Sequence, residues 1–363
     1  MVATSGLEMV RVPDCPVCNR EGRPLYAGLN DTQTALEGQW SYSHCTNCQM
    51  LWLDPRPDAR DLARLYAGDY YTHEQPLDDW DARLIHGRSL DGASFSHRLQ
   101  IDLFSRFVGK DLASRGPLSR RLLVSLIWTV PHVRDVIGGR AGWMRPRPGA
   151  RLLDVGCGGG DYLALMRFLG WDVQGVEPDP KACAAARARF KLPVLNGDLA
   201  TVDLPRASFD VVTSFHAIEH MERPFELIER GLSLLAPGGR MLIVTPNGAG
   251  LGHRLFRSAF SDLLPPRHLR IFSGKALSQK AEALGARVVE CRSTARRGHT
   301  VWIDSNSIRR HGRLTKAPGR LRKILGLPFE LVEAGMRLFY PMAGDEIVLL
   351  LASWEDRDVG SRS

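Results

Sequence analysis

Three groups of residues have the types and spacing to do chemistry. Cys15-Pro-Val-Cys18 and Cys45-Thr-Asn-Cys48 are two C-x-x-C pairs, and four thiolates offered as two knuckles satisfy one tetrahedral ion. Four sulfurs close the coordination shell of a zinc ion and leave no place for water or substrate, so such a zinc is structural. The 26 residues between the pairs exceed the usual spacing and require a longer ribbon loop. A pair of disulfides, which suits an oxidising compartment, and an iron–sulfur site are the competing readings. Cys157, Cys183 and Cys291 show no comparable pattern.

The second group is Gly156, Gly158 and Gly160 in Arg151-Leu-Leu-Asp-Val-Gly-Cys-Gly-Gly-Gly-Asp-Tyr-Leu163, which reads as strand, tight turn and helix start. Glycines let the backbone turn sharply and approach a ligand, and the helix N-terminus aims free N–H groups at it. A dinucleotide fingerprint wants a further glycine three positions after Gly158, where this chain has Asp161. A pyrophosphate would meet charge repulsion there, which disfavours NAD. Glu177 follows at roughly the 20-residue offset at which a carboxylate accepts from ribose hydroxyls, and Asp198, after the next apolar segment, can meet an adenine amino group. Ribose and adenine without phosphates fit this set; a purely structural turn is the alternative.

The third group is His216-Ala-Ile-Glu219-His220, directly after the apolar run Phe-Asp-Val-Val-Thr-Ser-Phe215, together with His268 in Pro-Pro-Arg-His-Leu-Arg. Open α/β sheets bind ligands beyond the carboxyl ends of strands, where this cluster falls. His220 and His268 are the base candidates, and Glu219 orients them or contacts the cofactor. The string also matches H-x-x-E-H, an inverted zinc-protease pattern, but that pattern needs a helix presenting both histidines and here a strand runs up to the first. Histidines satisfied by backbone carbonyls are the bland alternative.

The surrounding elements alternate. After the Pro-rich boundary Arg145–Gly149, strands are expected in RLLDVG, DVQGVEPD, FDVVTSF and RMLIVTPN, with helices in DYLALMRFLG, KACAAARARF and PFELIERGLSLLAPGG. A helix KALSQKAEALG, a strand ARVVECRS, a basic insertion and a last strand EIVLLLASW follow. Helix-length connections between strands imply a parallel sheet, into which the late final strand can insert antiparallel.

The motifs LLDVGCGGGDYL, GVEPD, Gly197-Asp198, FDVVTSFHAIEH and LLAPGGRMLIVTPN resemble the core of class I S-adenosylmethionine-dependent methyltransferases over residues 150 to about 290. The resemblance implies a Rossmann-like α/β fold with a seven-stranded, mostly parallel sheet whose last strand is antiparallel. It implies S-adenosylmethionine as cofactor, with Asp154, Gly156, Gly158 and Gly160 at the methionine moiety, Glu177 on the ribose and Asp198 at adenine. The stretch HCTNCQMLWLDPRPDARDLARLYAGDYYTHE resembles the zinc-ribbon leader of bacterial methyltransferases that modify deoxysugars and glycans. Tyr70 and Tyr71 close that stretch and can face a substrate, although aromatic packing is the commoner fate of such a pair.

The chain of 363 residues is expected to divide into a zinc ribbon (1–55), a helical connector or cap (56–148), a cofactor-binding core (149–300), a basic amphipathic insertion (301–342) and a final strand with tail (343–363). The N-terminus has no continuous apolar stretch, and no later segment approaches the roughly 20 apolar residues of a bilayer crossing; a cytoplasmic protein is expected. The net charge of +8 is uneven. Residues 292–323 hold ten Lys or Arg against the single acid Asp304, whereas 151–250 hold ten basic and twelve acidic residues. The positive field therefore lies on the flanks, facing an anionic partner or only solvent. The apolar run Leu122–Val130 is expected to be a buried helix. Pro328 should split 320–340 into two short helices whose apolar stripe forms a lid, a dimer contact or a peripheral membrane contact.

These readings predict a methyltransferase acting on a small or glycan-type acceptor, a sugar nucleotide or envelope glycan precursor being favoured. The rivals are an RNA methyltransferase, which lacks the aromatic-basic signature of a known RNA-binding module, and a non-catalytic cofactor-binding scaffold whose ribbon recruits a partner.

Overall fold

The computed structural model describes residues 6–34, 36–65, 85, 94–112, 116–315 and 319–353; Tyr70 and Tyr71 lie outside the described residues. Thirteen strands are present among them: β1 (Met9–Val10), β2 (Arg23–Leu29), β3 (Trp40–His44), β4 (Leu51–Leu53), β5 (Arg56–Pro57), β6 (Arg151–Val155), β7 (Asp172–Glu177), β8 (Val194–Asn196), β9 (Phe209–Phe215), β10 (Leu235–Pro246), β11 (Arg270–Ile271), β12 (Ala286–Thr294) and β13 (Glu346–Ser353). Seven of them form one sheet in the order β12-β13-β10-β9-β6-β7-β8. Strands β9, β6, β7 and β8 pair in parallel, and β13 runs antiparallel to both β10 and β12. This is the Rossmann-like architecture expected, with the final strand reversed.

The parallel strands are short and apolar because both faces are covered. Leu152, Leu153 and Val155 of β6 are buried, as are Val173 and Val176 of β7. The intervening helices Asp161–Phe168 and Pro180–Phe190 begin and end where the sequence punctuates. Gly170, at φ 103°, follows the first of them. Asp179 caps the second by accepting the N–H of Lys181.

By its internal contacts the chain divides into two compact units, 71–213 and the pair of segments 1–70 and 214–363. The first has a core that includes Ile101, Phe104, Leu152, Leu163, Met166 and Phe190. In the second, Trp40, Tyr42, Leu51 and Leu53 of the cysteine-rich leader share one core with Phe260, Leu263, Ile271 and Phe329. The leader sheet, in the order β11-β4-β3-β2, takes its fourth strand from residues 270–271. The leader is thus built into the second unit.

Three local expectations are corrected. The helix Leu118–Ile127 buries Arg120 and Val124, while Leu122 and Leu126 are exposed. Arg120 is drawn inward by Asp102 at 2.6 Å, and leucines two positions away face the opposite side of the helix. The helix from Pro224 ends at Leu234, and Leu-Ala-Pro-Gly-Gly already belongs to β10, since Pro237 has no N–H to continue the ladder. Pro328 does not split its segment: one helix runs Gly319–Met336. It packs closely on the helix Gly298–His311, where a Cβ on Gly326 would stand 2.4 Å from the carbonyl oxygen of His299. That close approach holds the helix through the proline, and the carbonyl left without its donor belongs to the exposed Ile324. Leu325, Leu331, Val332 and Phe339 of the stripe are also exposed.

Because Pro328 interrupts a continuous helix, Pro328→Ala should stabilise the protein by about 1–3 kcal/mol, seen as a higher urea midpoint at unchanged slope. A lower midpoint would show that the proline marks a true break.

Candidate functional site

Carboxylates stand at the carboxyl ends of three neighbouring parallel strands. Asp154 is the penultimate residue of β6, Glu177 the last of β7, and Asp198 follows β8 by two residues. Asp154 is buried, and the Thr213 hydroxyl donates to its Oδ1 at 2.7 Å. Burial pushes its pKa up to about 7; the Thr213 hydrogen bond opposes this and the charge of Glu177 adds to it. Glu177 is buried too, its Oε2 accepting the N–H of Gly158 at 2.8 Å and its Oε1 that of Asp179 at 3.0 Å. Asp198 is exposed and accepts the N–H of Ala200.

The three glycines serve different ends. All have positive φ, 77° at Gly156, 52° at Gly158 and 82° at Gly160, a region costly to residues with a Cβ. A Cβ on Gly160 would strike Leu192 Cδ1 at 2.6 Å and Ala186 Cβ at 2.9 Å, so this glycine is required by packing. A Cβ on Gly158 would enter open space. The loop therefore keeps its backbone open at Gly158, beside the Glu177 carboxylate. Asp161 opens the next helix and pairs with Arg189 at 3.1 Å, so the helix N-terminus that would take a pyrophosphate already carries an acid.

The segment 214–363 with 1–70 contains the histidine cluster. His216 has φ 50° and ends the run of β9 in a turn, so the two histidines of H-x-x-E-H are not on a helix. They diverge. His216 Nε2 lies 2.6 Å from Glu346 Oε1, and its Nδ1 lies 3.3 Å from Glu219 Oε1. Burial pushes the His216 pKa down, but the two carboxylates overcome this and raise it. Glu346, fully buried, also receives Arg296 Nε at 2.6 Å. Burial pushes Glu219 up, yet the hydrogen bond and charge of His216 bring it down to about 2.

His220 turns instead to His268, the ring centroids being 4.6 Å apart and nearly perpendicular. Burial, reinforced by their mutual repulsion as cations, lowers His220 to about 3; burial also lowers His268, to about 4. Both are neutral imidazoles at physiological pH. The turn is fixed from behind: Leu269 N–H donates to Glu219 O, the Thr245 hydroxyl to Glu219 Oε2, and the Arg270 guanidinium to the carbonyls of Met221 and Glu222. The structure brings Glu219, His220 and His268 together and sets His216 apart as a charge partner. Sequence reasoning missed Glu346, Thr213 and Thr245. Glu346 is 130 residues from His216, and its one visible signal is an acid opening an apolar strand.

The four leader cysteines also converge, each offering a sulfur within 4.8 Å of the others. Cys15 to Cys48 and Cys18 to Cys45 are both 3.5 Å, and Cys18 to Cys48 is 3.9 Å. A tetrahedral ion with bonds of about 2.3 Å sets sulfurs ~3.8 Å apart, so the spacing fits zinc. The two knuckles repeat one hydrogen-bond pattern: Cys15 N to Arg20 O and Asn19 N to Cys15 O in one, Cys45 N to Met50 O and Gln49 N to Cys45 O in the other.

Asp154 holds its proton more readily in the folded state, so its contribution to stability is full below about 3.8 and is lost as pH rises through about 7. Asp154→Asn should remove that loss, so the variant should decline less than the wild type between pH 5 and 8. The slopes should differ by at most ~1.4 kcal/mol per pH unit. Identical pH profiles in denaturant titrations would refute the buried, proton-holding carboxyl.

Residues 133–291 match the family model described as a methyltransferase domain. A protein of Mycolicibacterium smegmatis named as a probable S-adenosylmethionine-dependent methyltransferase is 33% identical over 142 residues, 39% of this chain and 53% of that relative. A ubiquinone biosynthesis O-methyltransferase of Xanthomonas campestris pv. campestris is 37% identical over 157 residues, 42% of this chain and 62% of that protein. A solved S-adenosylmethionine-dependent methyltransferase from Mesorhizobium loti is 16% identical, with a TM-score of 0.41 over 59% of this chain and 96% of that one. The chain thus spans between half and two thirds of the length of these two curated relatives. The match over residues 133–291 shows that the chain carries a methyltransferase domain, and the strand order and glycine loop agree with it.

Proposed function

We propose that this chain transfers a methyl group from S-adenosylmethionine to a hydroxyl of a small or glycan-type acceptor, a sugar nucleotide or envelope glycan precursor being the favoured class. The observation that carries the reading is the open space over Gly158 beside the buried Glu177 carboxylate. S-adenosylmethionine supplies a methyl on a sulfonium, whose departure leaves a neutral thioether. The protein's task is therefore mainly alignment, with reacting atoms about 3–3.5 Å apart. Asp154 and the loop of Gly156, Gly158 and Gly160 take the methionine end. Glu177 accepts from the ribose hydroxyls, and Asp198 meets the adenine amino group. Glu219, His220 and His268 receive the acceptor oxygen; His216 is a positioning residue acting through Glu219.

The acceptor class is supported by the likeness of the leader to glycan-modifying enzymes, and the hydroxyl by the O-methyl transfer in the name of the Xanthomonas relative. The basic flank gives less support than its composition promised. Arg296 and Arg297 pair with Glu346 and Asp262, so part of that charge balances buried acids. Zinc on Cys15, Cys18, Cys45 and Cys48 is the second part of the proposal, with a structural role. No helix among the described residues is long and apolar enough to cross a membrane; the exposed stripe at 324–340 leaves a second copy or a lipid surface as contacts to test.

Calorimetry with S-adenosylmethionine should show saturable binding, lost in Gly158→Arg and at least tenfold weaker in Glu177→Ala. Mass spectrometry of cell extracts given enzyme and labelled methyl donor should then show a product absent with Gly158→Arg. No heat with the cofactor or its demethylated by-product, on folded protein, would end the reading. Labelled RNA as the sole product would transfer it to nucleic acid.

Elemental analysis should find one tightly held zinc per chain, lost in Cys45→Ser together with several degrees of Tm. Iron, or thiols that resist alkylation through disulfide pairing, would contradict the zinc assignment.

A further inference from the structure

Glu219, His220 and His268 have an arrangement that a general base does not need. Each offers one donor atom, and the three atoms lie within 4.8 Å of one another. The tautomers are set by geometry. His220 Nδ1 lies 3.2 Å from Arg267 O, and His268 Nδ1 lies 2.6 Å from Asp262 O. A carbonyl only accepts, so Nδ1 carries the proton in both rings and Nε2 presents its lone pair. Donation of the far ring N–H to a backbone carbonyl is how metal-ligating histidines are oriented.

The carboxylate is prepared in the same way. Thr245 occupies Glu219 Oε2, while Oε1 is fully buried and accepts no well-aligned hydrogen bond among the described residues. Its near neighbour is His216 Nδ1, at 3.3 Å. That neighbour supplies the charge a buried carboxylate needs, and the two imidazoles beside it could hold a metal ion against the same carboxylate. The two ligand-bearing segments are also tied to each other, by Leu269 N–H and Arg270 N–H on the carbonyl of Glu219. The donors are therefore held in place before any ion arrives.

We propose that Glu219 Oε1, His220 Nε2 and His268 Nε2 bind one divalent first-row transition-metal ion. Two imidazoles and one carboxylate favour Mn2+, Fe2+, Co2+ or Zn2+ over Mg2+, which prefers oxygen ligands. Three protein ligands leave positions open, and these take oxygen from the acceptor. This last role rests on the methyltransferase reading above; the metal site itself does not. It is distinct from the four-cysteine site, whose shell is closed.

Mn2+ is the probe, because it is the weakest of these ions at such sites and does not displace zinc from thiolates. In zinc-loaded protein, electron paramagnetic resonance should show one Mn2+ bound per chain. Binding should weaken at least tenfold in His268→Ala and in Glu219→Gln, while Gly158→Arg should keep it. Calorimetry with S-adenosylmethionine and circular dichroism on the His268 and Glu219 variants check that they fold. Absence of bound Mn2+ at millimolar concentration in the wild type, or equal binding in the folded variants, would overturn the site. Mn2+ bound by a chain that ignores S-adenosylmethionine would leave the site standing and remove the methyltransferase reading. The reverse result would remove the metal alone.

Discussion

A row of buried charges governs the conformation after β9. Glu346 has no solvent exposure and is held by Arg296 on one side and His216 on the other, and His216 reaches on to the equally buried Glu219. An isolated buried carboxylate is so costly that it would take up a proton instead. Here, alternating charge keeps both acids ionised. The consequence is conformational. Glu219 must sit where His216 and Thr245 can reach it, which fixes the turn from 216 to 220 and thereby the direction of His220. Removing any member leaves another buried charge without its counterpart, so the row acts as one unit.

The same row explains why the basic stretch after 292 misleads when read by composition. Its ten basic residues suggest an electrostatic face, yet Arg296 and Arg297 turn inward to acids contributed by other segments. Local sequence shows the excess of charge but not its partners, because Asp262 and Glu346 lie 35 and 50 residues away along the chain.

Legibility followed the range of the interactions. The order of strands and helices from 150 to 300 could be read because each element has its own periodicity and each turn its own glycine or proline, all local signals. The glycine loop and the acids ending β7 and β8 were legible for the same reason, and so were the cysteine pairs. What could not be read depends on distant chain. The course of the helix through Pro328 is decided by the close approach at Gly326, the exposure of Leu122 and Leu126 by the pull of Asp102 on Arg120, and the separation of His216 from His220 by Glu346. Within H-x-x-E-H the residue types are right for several chemistries, and only the backbone, with a left-handed His216, determines which side chains meet.

The placement of the leader gives its cysteines a consequence beyond their own fold. The second knuckle is tied to the core by Ser273, which donates to Cys48 O, and by Lys275, which donates to Asn47 O. β11 adds to the leader sheet beside β4, and Tyr42 of β3 donates to the carbonyls of Leu263 and His268. The stretch 260–275, which carries His268, is therefore held by strands that share its core and that bear or adjoin the two sulfur pairs. A metal that closes the four-cysteine shell would stiffen β3 and β4, and through them the position of the His268 ring, without touching that ring itself. A structural ion would then set the geometry of the histidine cluster from a distance by fixing the backbone that bears it.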